Sequence, residues 1–513
     1  MQSAAQPLYK TISPLDRWLV TLVVMLAALM EIIDTTIVNV CLPHMQGSLG
    51  ATSDTVTWTL TSYIVSAAIC MPLTGFLAER YGRKNFLIFS IMAFTVASAL
   101  CGAATSLSEM VTFRLLQGVF GASLVPLSQA ILTDVFPPED RAKAMAIWGI
   151  GIMVGPIFGP TLGGYLTDIA SWRWTFYINI PIGAFALLLS NIIPDTPKQI
   201  RRLDWVGISL ISLAIGGLQY VLDRGNQDDW FNATGICVIT YIAFTAAFLF
   251  VLHNMGVKKD RIFSLGIFKD INFSLASLLL ALFCFNLYGI LVTQPLMMEG
   301  FLHYSALATG MMLAPRGLSG MISMLLVSQL IKHIDARALI FFGISLNAAG
   351  IWIATSYSLS ISSVWLIGPM ILQGFGLGLV FVPLSTIAFS TLPQHLRTEA
   401  AGLYSLIRTL GGSIGISVAS TLYARRQQFF WNELGGSINV YHPALYQYLH
   451  PLALNPTQAL GANLLGNELY QQTAMLSFVN VFAFIMWCLI LMLPLVFLLR
   501  KSKQSANSTP GLH

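Results

Sequence analysis

The stretch Gln117-Gly118-Val-Phe-Gly121-Ala-Ser-Leu-Val-Pro126-Leu127-Ser128 decides how this chain folds, because both of its ends return later in the sequence. At one offset, Gln117-Gly118 matches Gln373-Gly374, Pro137 matches Pro393, Arg141 matches Arg397, Gly155 matches Gly411 and Gly159 matches Gly415. With one inserted residue, Pro126-Leu127-Ser128 also matches Pro383-Leu384-Ser385. The chain is therefore an internal duplication.

The amino-acid composition indicates that the two repeated halves lie in a lipid bilayer rather than in water. Of 513 residues, 56% are hydrophobic and 10% are charged. Apolar runs of about 20 residues, each long enough to cross a bilayer as a helix, recur along the whole chain. We therefore predict an all-α polytopic membrane protein and exclude a secreted disulfide scaffold, a nucleic-acid binder and a free cytosolic enzyme. The six cysteines lie singly, without CxxC spacing, and are interpreted as small apolar residues.

Fourteen candidate spans lie between the charged and turn-rich stretches. They fall at about 18–42, 57–78, 85–104, 109–133, 142–167, 176–193, 205–222, 233–254, 273–298, 306–331, 338–357, 364–391, 402–424 and 475–499. The repeat places helix 4 on helix 12 and helix 5 on helix 13, so two six-helix halves of the same orientation flank two extra central helices. Parallel halves of this kind are typical of transporters that bind substrate between the halves.

The predicted domains follow from this repeat. They are the first half at 1–195, a linker with helices 7 and 8 at 196–270, the second half at 271–500 with a long outer loop at 425–474, and a tail at 501–513. Most of the 27 Lys and Arg residues fall on one side of these spans. The positive-inside rule makes that side cytoplasmic, so we expect an inner-membrane protein with both termini in the cytoplasm.

A glycine-rich and charged segment ends helix 2: Gly75-Phe-Leu-Ala-Glu79-Arg80-Tyr-Gly82-Arg83-Lys84. Its glycines permit close helix contact and a turn, and its charges are suited to an interhelical latch at the cytoplasmic surface. The segment resembles motif A of the major facilitator superfamily, with Glu79 where Asp is usual. The alternative is an ordinary positively charged loop.

Arg114 lies inside the predicted helix 4, in a segment that resembles motif B of the same superfamily. An Arg at the centre of a span costs about 2.5–3.5 kcal/mol on insertion scales, so it needs an anionic partner or a wet cavity. Met370 stands at the matching position of the second half, which means that the fold itself does not require Arg. The alternative is that the side chain extends to the outer interface.

Glycines recur every four residues along helix 5, which resembles motif C, the motif that marks antiporters within the superfamily. The predicted antiporter helix is defined by Gly151, Gly155, Pro156, Gly159, Pro160 and Gly163. Such glycines allow close backbone approach, and the prolines free carbonyl groups and allow bending. Generic small-residue packing is the alternative.

Helix 1 carries two acids, Glu31 and Asp34, three residues apart on one helix face. Desolvation and mutual repulsion favour the protonated form of such acids, which suits them to loading and releasing protons. The stretch from Asp34 to Pro43 resembles the first-helix motif of the 14-helix drug:proton antiporters, the EmrB/QacA group. We therefore predict that Asp34, Glu31 and Arg114 couple protons to transport. A structural Asp34 paired permanently with Arg114, and a Glu31 that only forms the cavity wall, are the alternatives.

Three further segments resemble EmrB-type exporters: Trp172 to Gly183, Leu222 to Phe231, and Arg408 to Gly415. The resemblance implies a major facilitator fold and proton-driven export of lipophilic or amphipathic drugs, with a periplasmic adaptor and an outer-membrane channel as partners. It implies no nucleic acid, no enzymatic activity, no metal and no cofactor, and a monomeric transporter unit. Polar residues in the spans are predicted to line the substrate cavity: Asn39, Gln117, Gln373 and Arg408.

Other functions stay open at this point. One is export of an endogenous metabolite such as a siderophore or an amino acid, and another is a transport-inactive sensor or scaffold. The outer loop at 425–474 is predicted either to dock the adaptor or to cap the transporter, with one or two helical turns between 444 and 450. The sequence does not identify the substrates, the proton stoichiometry, the resting conformation or the partner of Arg316.

Overall fold

The computed structural model describes residues 12–52, 55–137, 139–196, 198, 204–256, 265–393, 396–438, 443–449, 451 and 458–500. Throughout these ranges the regular elements are helices. The predicted tail at 501–513 lies outside the described residues. The predicted fold class, an all-α polytopic membrane protein, is confirmed.

The first half contains nine helical segments. They are α1 Pro14–Ser48, α2 Trp58–Cys70, α3 Leu73–Tyr81, α4 Arg83–Ala103, α5 Leu107–Gly121, α6 Leu124–Val135, α7 Arg141–Ile169, α8 Trp174–Tyr177 and α9 Asn179–Leu189. Local sequence sets several of their ends. Ser13 caps α1 by accepting a hydrogen bond from the Asp16 amide, and Ser106 caps α5 in the same way through the Glu109 amide.

Two spans predicted as continuous helices are broken. The span at 57–78 consists of α2 and α3, which meet at an angle of 61°. Pro72 lies at the break, where its ring removes one backbone donor and crowds the preceding turn. The span at 109–133 consists of α5 and α6, which are separated at Ala122 and Ser123, shortly before Pro126.

The linker and the second half contain nine more helices. They are α10 Trp205–Arg224, α11 Thr234–Gly256, α12 Ile271–Gly300, α13 Ala306–Leu330, α14 Ala336–Ala354, α15 Ser363–Ser390, α16 Arg397–Ser437, α17 Pro443–Leu449 and α18 Ala459–Val496. Helices α4, α7 and α16 each begin with an arginine at one end of the bundle, which we call the basic end.

Each of the fourteen predicted spans coincides with one of these helices or with a consecutive pair. In the described ranges, 11 helical stretches are long and apolar enough to cross a membrane when α5 with α6, and α8 with α9, count as one stretch each. The number is 12 if the bent pair α2 and α3 also counts as one span. The remaining two spans correspond to α7 and α16, which are long enough but interrupted by glycines, prolines or charges. The count of fourteen is therefore consistent with the structure, and the predicted domain boundaries stay predictions.

The second half differs from expectation at the end opposite the basic end. Helix α16 continues to Ser437 and α18 begins at Ala459, so much of the segment predicted as a loop at 425–474 is helical. A 41-residue helix is about 60 Å long, roughly twice the thickness of the hydrocarbon layer. The predicted span ends at 424 because the hydropathy falls there. The helix itself continues, because many of the following residues are good helix formers and the next proline is Pro443.

The two extensions pack side by side and form what we call the projecting hairpin, residues 425–437 and 459–474. Gly435 approaches Leu469 across it, and at its base the Tyr423 ring stacks on Phe478 with centroids 4.4 Å apart. The short helix α17 lies where one or two turns were predicted, and His450 falls outside the described residues.

Close packing of α7 on α1 holds the helix with the two acids in place. The glycines of α7 face α1 at four-residue intervals: Gly151 faces Met25, Gly155 faces Ile32, Gly159 faces Thr36 and Gly163 faces Ile37. The Thr36 hydroxyl donates a hydrogen bond of 3.2 Å to the Gly155 carbonyl. Pro156 and Pro160 belong to α7, but their side chains lie outside the described part. No side chain larger than hydrogen fits between the two backbones at Gly163, where a Cβ atom would lie 2.9 Å from the Ile37 carbonyl oxygen.

We expect Gly163→Val to destabilise the protein by about 1–3 kcal/mol, because overpacking pushes α7 away from α1. Thermal unfolding of the purified protein in detergent measures the effect. Gly368→Val is the matched control, since it also lies within a helix but a Cβ atom there would have no neighbour within 4 Å. Equal shifts in the melting temperature of the two variants would contradict the packing argument.

Candidate functional site

A fully buried carboxylate lies at the centre of the first half. Asp34, on α1, has no exposed surface, and the Arg114 guanidinium on α5 is 1% exposed. Arg114 Nη1 lies 2.5 Å from Asp34 Oδ2, which makes a charge-assisted hydrogen bond inside the membrane-spanning bundle.

Two further side chains, Gln117 and Asn179, complete the surroundings of this pair. Gln117 Nε2 donates to Asp34 Oδ1 at 2.7 Å, and Asn179 Nδ2 donates to the same oxygen at 3.3 Å. Gln117 Oε1 accepts a hydrogen bond of 2.8 Å from Arg114 Nη1, so Gln117 bridges the acid and the base. The carboxylate therefore accepts hydrogen bonds from three side chains on two other helices.

Arg114 is also held from the side of α2 and α8. Its Nε donates a 2.9 Å hydrogen bond to the Thr59 carbonyl, and its guanidinium lies 4.3 Å from the centre of the Tyr63 ring and 5.7 Å from that of Phe176. These contacts stabilise a buried cation through a hydrogen bond and the negative faces of the rings. The side chain does not extend to the membrane interface.

Asn179 is a site residue that the sequence analysis did not assign a role. It donates to Ser98 Oγ at 2.9 Å as well as to Asp34, and thereby connects α9 with α4 and α1. The available signal was a buried amide in an otherwise apolar run. That signal does not identify the partner, because Ser98 and Asp34 lie far from Asn179 in the chain.

Glu31 lies one turn from Asp34 but has different neighbours. Its side chain is buried, and among the described residues no group lies within hydrogen-bond distance of its carboxylate. Glu31 interacts electrostatically with the Arg408 guanidinium on α16 and with Tyr288 on α12. Asp34 is thus bound within the first half, whereas Glu31 interacts electrostatically with Arg408 of the second half as well as with Asp34.

The four residues predicted to line one substrate cavity do not lie together. Gln117 belongs to the Asp34 network, Arg408 faces Glu31, and Gln373 lines a separate cavity inside the second half. Asn39 belongs to α1, and its side chain lies outside the described part. Their role in substrate binding stays a prediction.

The predicted latch segment meets a second acid, Asp134, at the basic end. Arg83, at the start of α4, forms an ion pair with Asp134, the penultimate residue of α6. Arg397, the first residue of α16, lies 3.4 Å from the other Asp134 oxygen. Because Arg397 belongs to the second half, Asp134 joins the two halves. Neither Asp134 nor Arg397 was predicted as a site residue.

The other latch residues position this cluster. Gly82 adopts a positive φ of 85°, which turns the chain from α3 into α4 and favours glycine. Lys84 Nζ donates to the Asn191 carbonyl at 3.1 Å, and Arg80 lies over the Tyr81 ring. Glu79 interacts electrostatically with Arg83.

The two halves also touch through their backbones at the basic end. Gly75 on α3 packs directly on Glu399 of α16, and a Cβ atom on Gly402 would lie 3.0 Å from the Met71 carbonyl oxygen. Together with the Asp134 cluster, these contacts close the basic end in this conformation.

The amino-acid sequence is similar to those of known membrane transporters. The sequence profile of the Major Facilitator Superfamily matches residues 24–416. The multidrug export protein EmrB of Escherichia coli (strain K12) is 34% identical over 453 residues, which cover 86% of this chain and 88% of that protein. The fatty acid resistance protein FarB of Neisseria gonorrhoeae is 33% identical over 500 residues, which cover 96% and 97% of the two chains.

A solved structure shares the fold. The human organic anion transporter MFSD10 superposes with a TM-score of 0.61 at 17% identity, covering 93% of this chain and 100% of that chain. At that identity the likeness concerns the fold alone.

We expect Arg114→Met to be less stable than the unsubstituted protein by about 3–5 kcal/mol wherever Asp34 stays charged, because a buried charge loses its partner. Protonation of Asp34 at the acidic end of the pH range removes the unpaired buried charge and so relieves the destabilisation. The stability of the variant should therefore fall as pH rises.

Thermal unfolding between about pH 5 and about pH 8 measures this dependence. The control is the double variant Asp34→Asn/Arg114→Met, which has no carboxyl at this position and should lack the extra fall of stability with rising pH. A slope in Arg114→Met that equals the slope of the double variant would show that Asp34 does not depend on Arg114.

Proposed function

The chain belongs to the major facilitator superfamily and is a membrane transporter, and on this premise we propose that it is a proton-driven exporter of lipophilic or amphipathic drugs in the inner membrane. The observation that carries the proposal is the buried Asp34, bound by Arg114, Gln117 and Asn179. The names of the relatives, multidrug export and fatty acid resistance, support apolar substrates.

Asp34 is suited to carry the coupled proton because its charge is balanced by one cation. When a proton binds to Asp34, the carboxyl becomes neutral and the attraction to Arg114 is lost. Arg114 then retains its hydrogen bonds to Gln117 and Thr59, and a net positive charge is left inside the first half. Proton binding thus changes both the charge of the site and the contacts among α1, α5 and α9.

A charge change at Asp34 shifts the transporter between conformations only if the two conformations solvate that charge differently. Helix α1 provides the connection, since it carries Asp34 toward the first half and Glu31 toward Arg408 of the second half. In the proposed cycle, a proton from outside binds to Asp34, substrate leaves outward, and release of the proton toward the cytoplasm resets the site.

The Asp134 cluster is the proposed cytoplasmic latch. Positive loops mark the basic end as cytoplasmic, so the conformation described here is closed on that side. Opening requires Arg397 to leave Asp134 while Arg83 remains on the same half as Asp134. Asp134 therefore keeps one cationic partner in both conformations, which limits the cost of breaking the contact between the halves.

The projecting hairpin supports a proposed role in assembly with a periplasmic adaptor. It extends from the end opposite the basic end, and aromatic side chains on it are exposed, among them Phe429, Trp431 and Tyr470. Exposed aromatic residues on a rigid helical surface are typical of protein interfaces. We propose that the hairpin docks the adaptor of a tripartite efflux system.

We expect Asp34→Asn to bind substrate but not to transport it against a gradient, because the amide cannot exchange the proton. Drug uptake into inside-out proteoliposomes with an imposed proton gradient measures transport, and drug binding to the detergent-solubilised protein measures affinity. Glu31→Gln is the companion variant on the same helix. Because the hydrogen bonds of Arg114, Gln117 and Asn179 go to Asp34, we assign the coupled proton to Asp34 and substrate charge to Glu31, although both acids were predicted to couple protons. This variant should keep uphill transport while losing cationic substrates more than neutral ones. Uphill transport by Asp34→Asn at the unsubstituted rate would refute the coupling role.

Replacing Phe429, Trp431 and Tyr470 together by Ser should reduce co-purification of the adaptor and whole-cell drug resistance, because the exposed aromatic surface is removed while the helices stay intact. Transport by the isolated protein in proteoliposomes should be unchanged. The matched control is Tyr241→Ser with Phe244→Ser and Phe248→Ser on α11, which removes exposed aromatic residues that are distant in sequence from the hairpin. Full adaptor yield with the hairpin variant would contradict docking, and a loss of transport in proteoliposomes would favour a lid.

A further inference from the structure

A buried polar cavity lies inside the second half, apart from the Asp34 network. Five helices, α12, α13, α14, α15 and α18, contribute to it. It is lined by apolar side chains and by four polar ones, Asn286, Arg316, Asn347 and Gln373. The Arg316 side chain is less than one-tenth exposed.

Arg316 has no acidic partner in the part of the chain that the structure describes. Its one hydrogen bond is to a neutral group, Gln294 Oε1, at 3.0 Å. The five helices around the cavity carry only two acids, Glu299 at the end of α12 and Glu468 in the projecting hairpin, and neither lines the cavity. A guanidinium is always charged, so Arg316 is a buried positive charge without an acidic partner among the described residues of the second half.

Two further polar atoms close to Arg316 also lack partners among the described residues. The amide nitrogens Gln373 Nε2 and Gln294 Nε2 are buried and make no hydrogen bond. Both are donors, as are the remaining guanidinium N–H groups. One acceptor that lines the cavity, Asn286 Oδ1, also lacks a partner among the described residues. Buried polar atoms without partners are rare and costly, and because the unpartnered donors outnumber this acceptor, they favour an electron-rich occupant.

The internal repeat provides a comparison within the same chain. Gln117 and Gln373 occupy equivalent positions, and in the first half Gln117 bridges Arg114 to the Asp34 carboxylate. In the second half, Gln373 lines a cavity with Arg316, but no carboxylate of the described residues lines it. The first half thus contains its own anion, and the second half has the matching donors without one.

The size of the cavity restricts the occupant. It has room for about one water-sized particle, which is too little for the carboxyl group of a lipophilic substrate with its attached chain. A chloride ion is only slightly larger than a water molecule, accepts hydrogen bonds from guanidinium and amide groups, and tolerates apolar neighbours such as Phe283 and Ile290. We propose that this cavity binds one chloride ion, held by Arg316 and Gln373, which neutralises the buried charge of the second half.

The test uses the full-length protein purified in detergent, with sodium gluconate replaced stepwise by sodium chloride at constant ionic strength. A ligand that binds the folded state raises the melting temperature in a saturable way, here by about 1–3 °C. Arg316→Gln and Gln373→Leu should each abolish or strongly weaken this rise. Lys332→Gln, which removes an exposed charge just beyond α13, should retain it.

Equilibrium binding of radioactive chloride to the unsubstituted protein gives a second readout that does not depend on any variant folding, and about one ion should bind per chain. The proposal is overturned if neither a saturable rise nor binding is found, which would leave water in the cavity. It is also overturned if Arg316→Gln keeps full chloride binding. A rise in the melting temperature with decanoate in gluconate buffer, but none with chloride, would also overturn the proposal. That result would assign Arg316 to a substrate carboxylate.

Discussion

The ion pair between Asp34 and Arg114 is the interaction on which the rest of the first half depends. A carboxylate and a guanidinium can remain charged inside a membrane bundle only when each has the other and every remaining polar atom has a partner. Gln117 on α5, Asn179 on α9, and Thr59 and the Tyr63 ring on α2 contribute to meeting this requirement. The pair therefore fixes how α1, α2, α5 and α9 lie relative to one another.

The duplicated halves have diverged in charge. Their backbones keep the same plan, but the first half pairs its buried cation with its own acid, whereas the second half leaves Arg316 beside a neutral amide. Met370 stands in the second half where Arg114 stands in the first, and the buried cation of the second half, Arg316, lies on a different helix. Asp134 and Arg397 join the halves at the basic end, and Glu31 interacts electrostatically with Arg408 of the other half.

Much of the fold was predictable because hydropathy is a local property and the lipid solvent leaves few alternatives to a helix. Every predicted span has a helical counterpart, and the helix turn at 443–449 was anticipated. The breaks at Pro72 and near Ala122, and the extension of α16 to Ser437, were missed. Hydropathy reports where the membrane ends rather than where a helix ends, and a proline inside an apolar run does not by itself reveal whether the helix bends or breaks.

The amino-acid sequence was sufficient to predict a duplicated, multi-span transporter. It also identified Asp34, Glu31, Arg114 and Arg83 as charged residues within or beside the spans, where a charge requires a partner or a function. The partners of these residues became known only from the folded structure. Asn179 meets Asp34 across 145 positions of sequence, Arg397 meets Asp134 across 263, and Glu31 interacts electrostatically with Arg408 of the other half. Which side chains meet depends on the rotation and separation of packed helices, set here by contacts such as Gly163 against Ile37. No local pattern contains that information, because each contact is made by residues from helices that are neighbours only in the folded bundle.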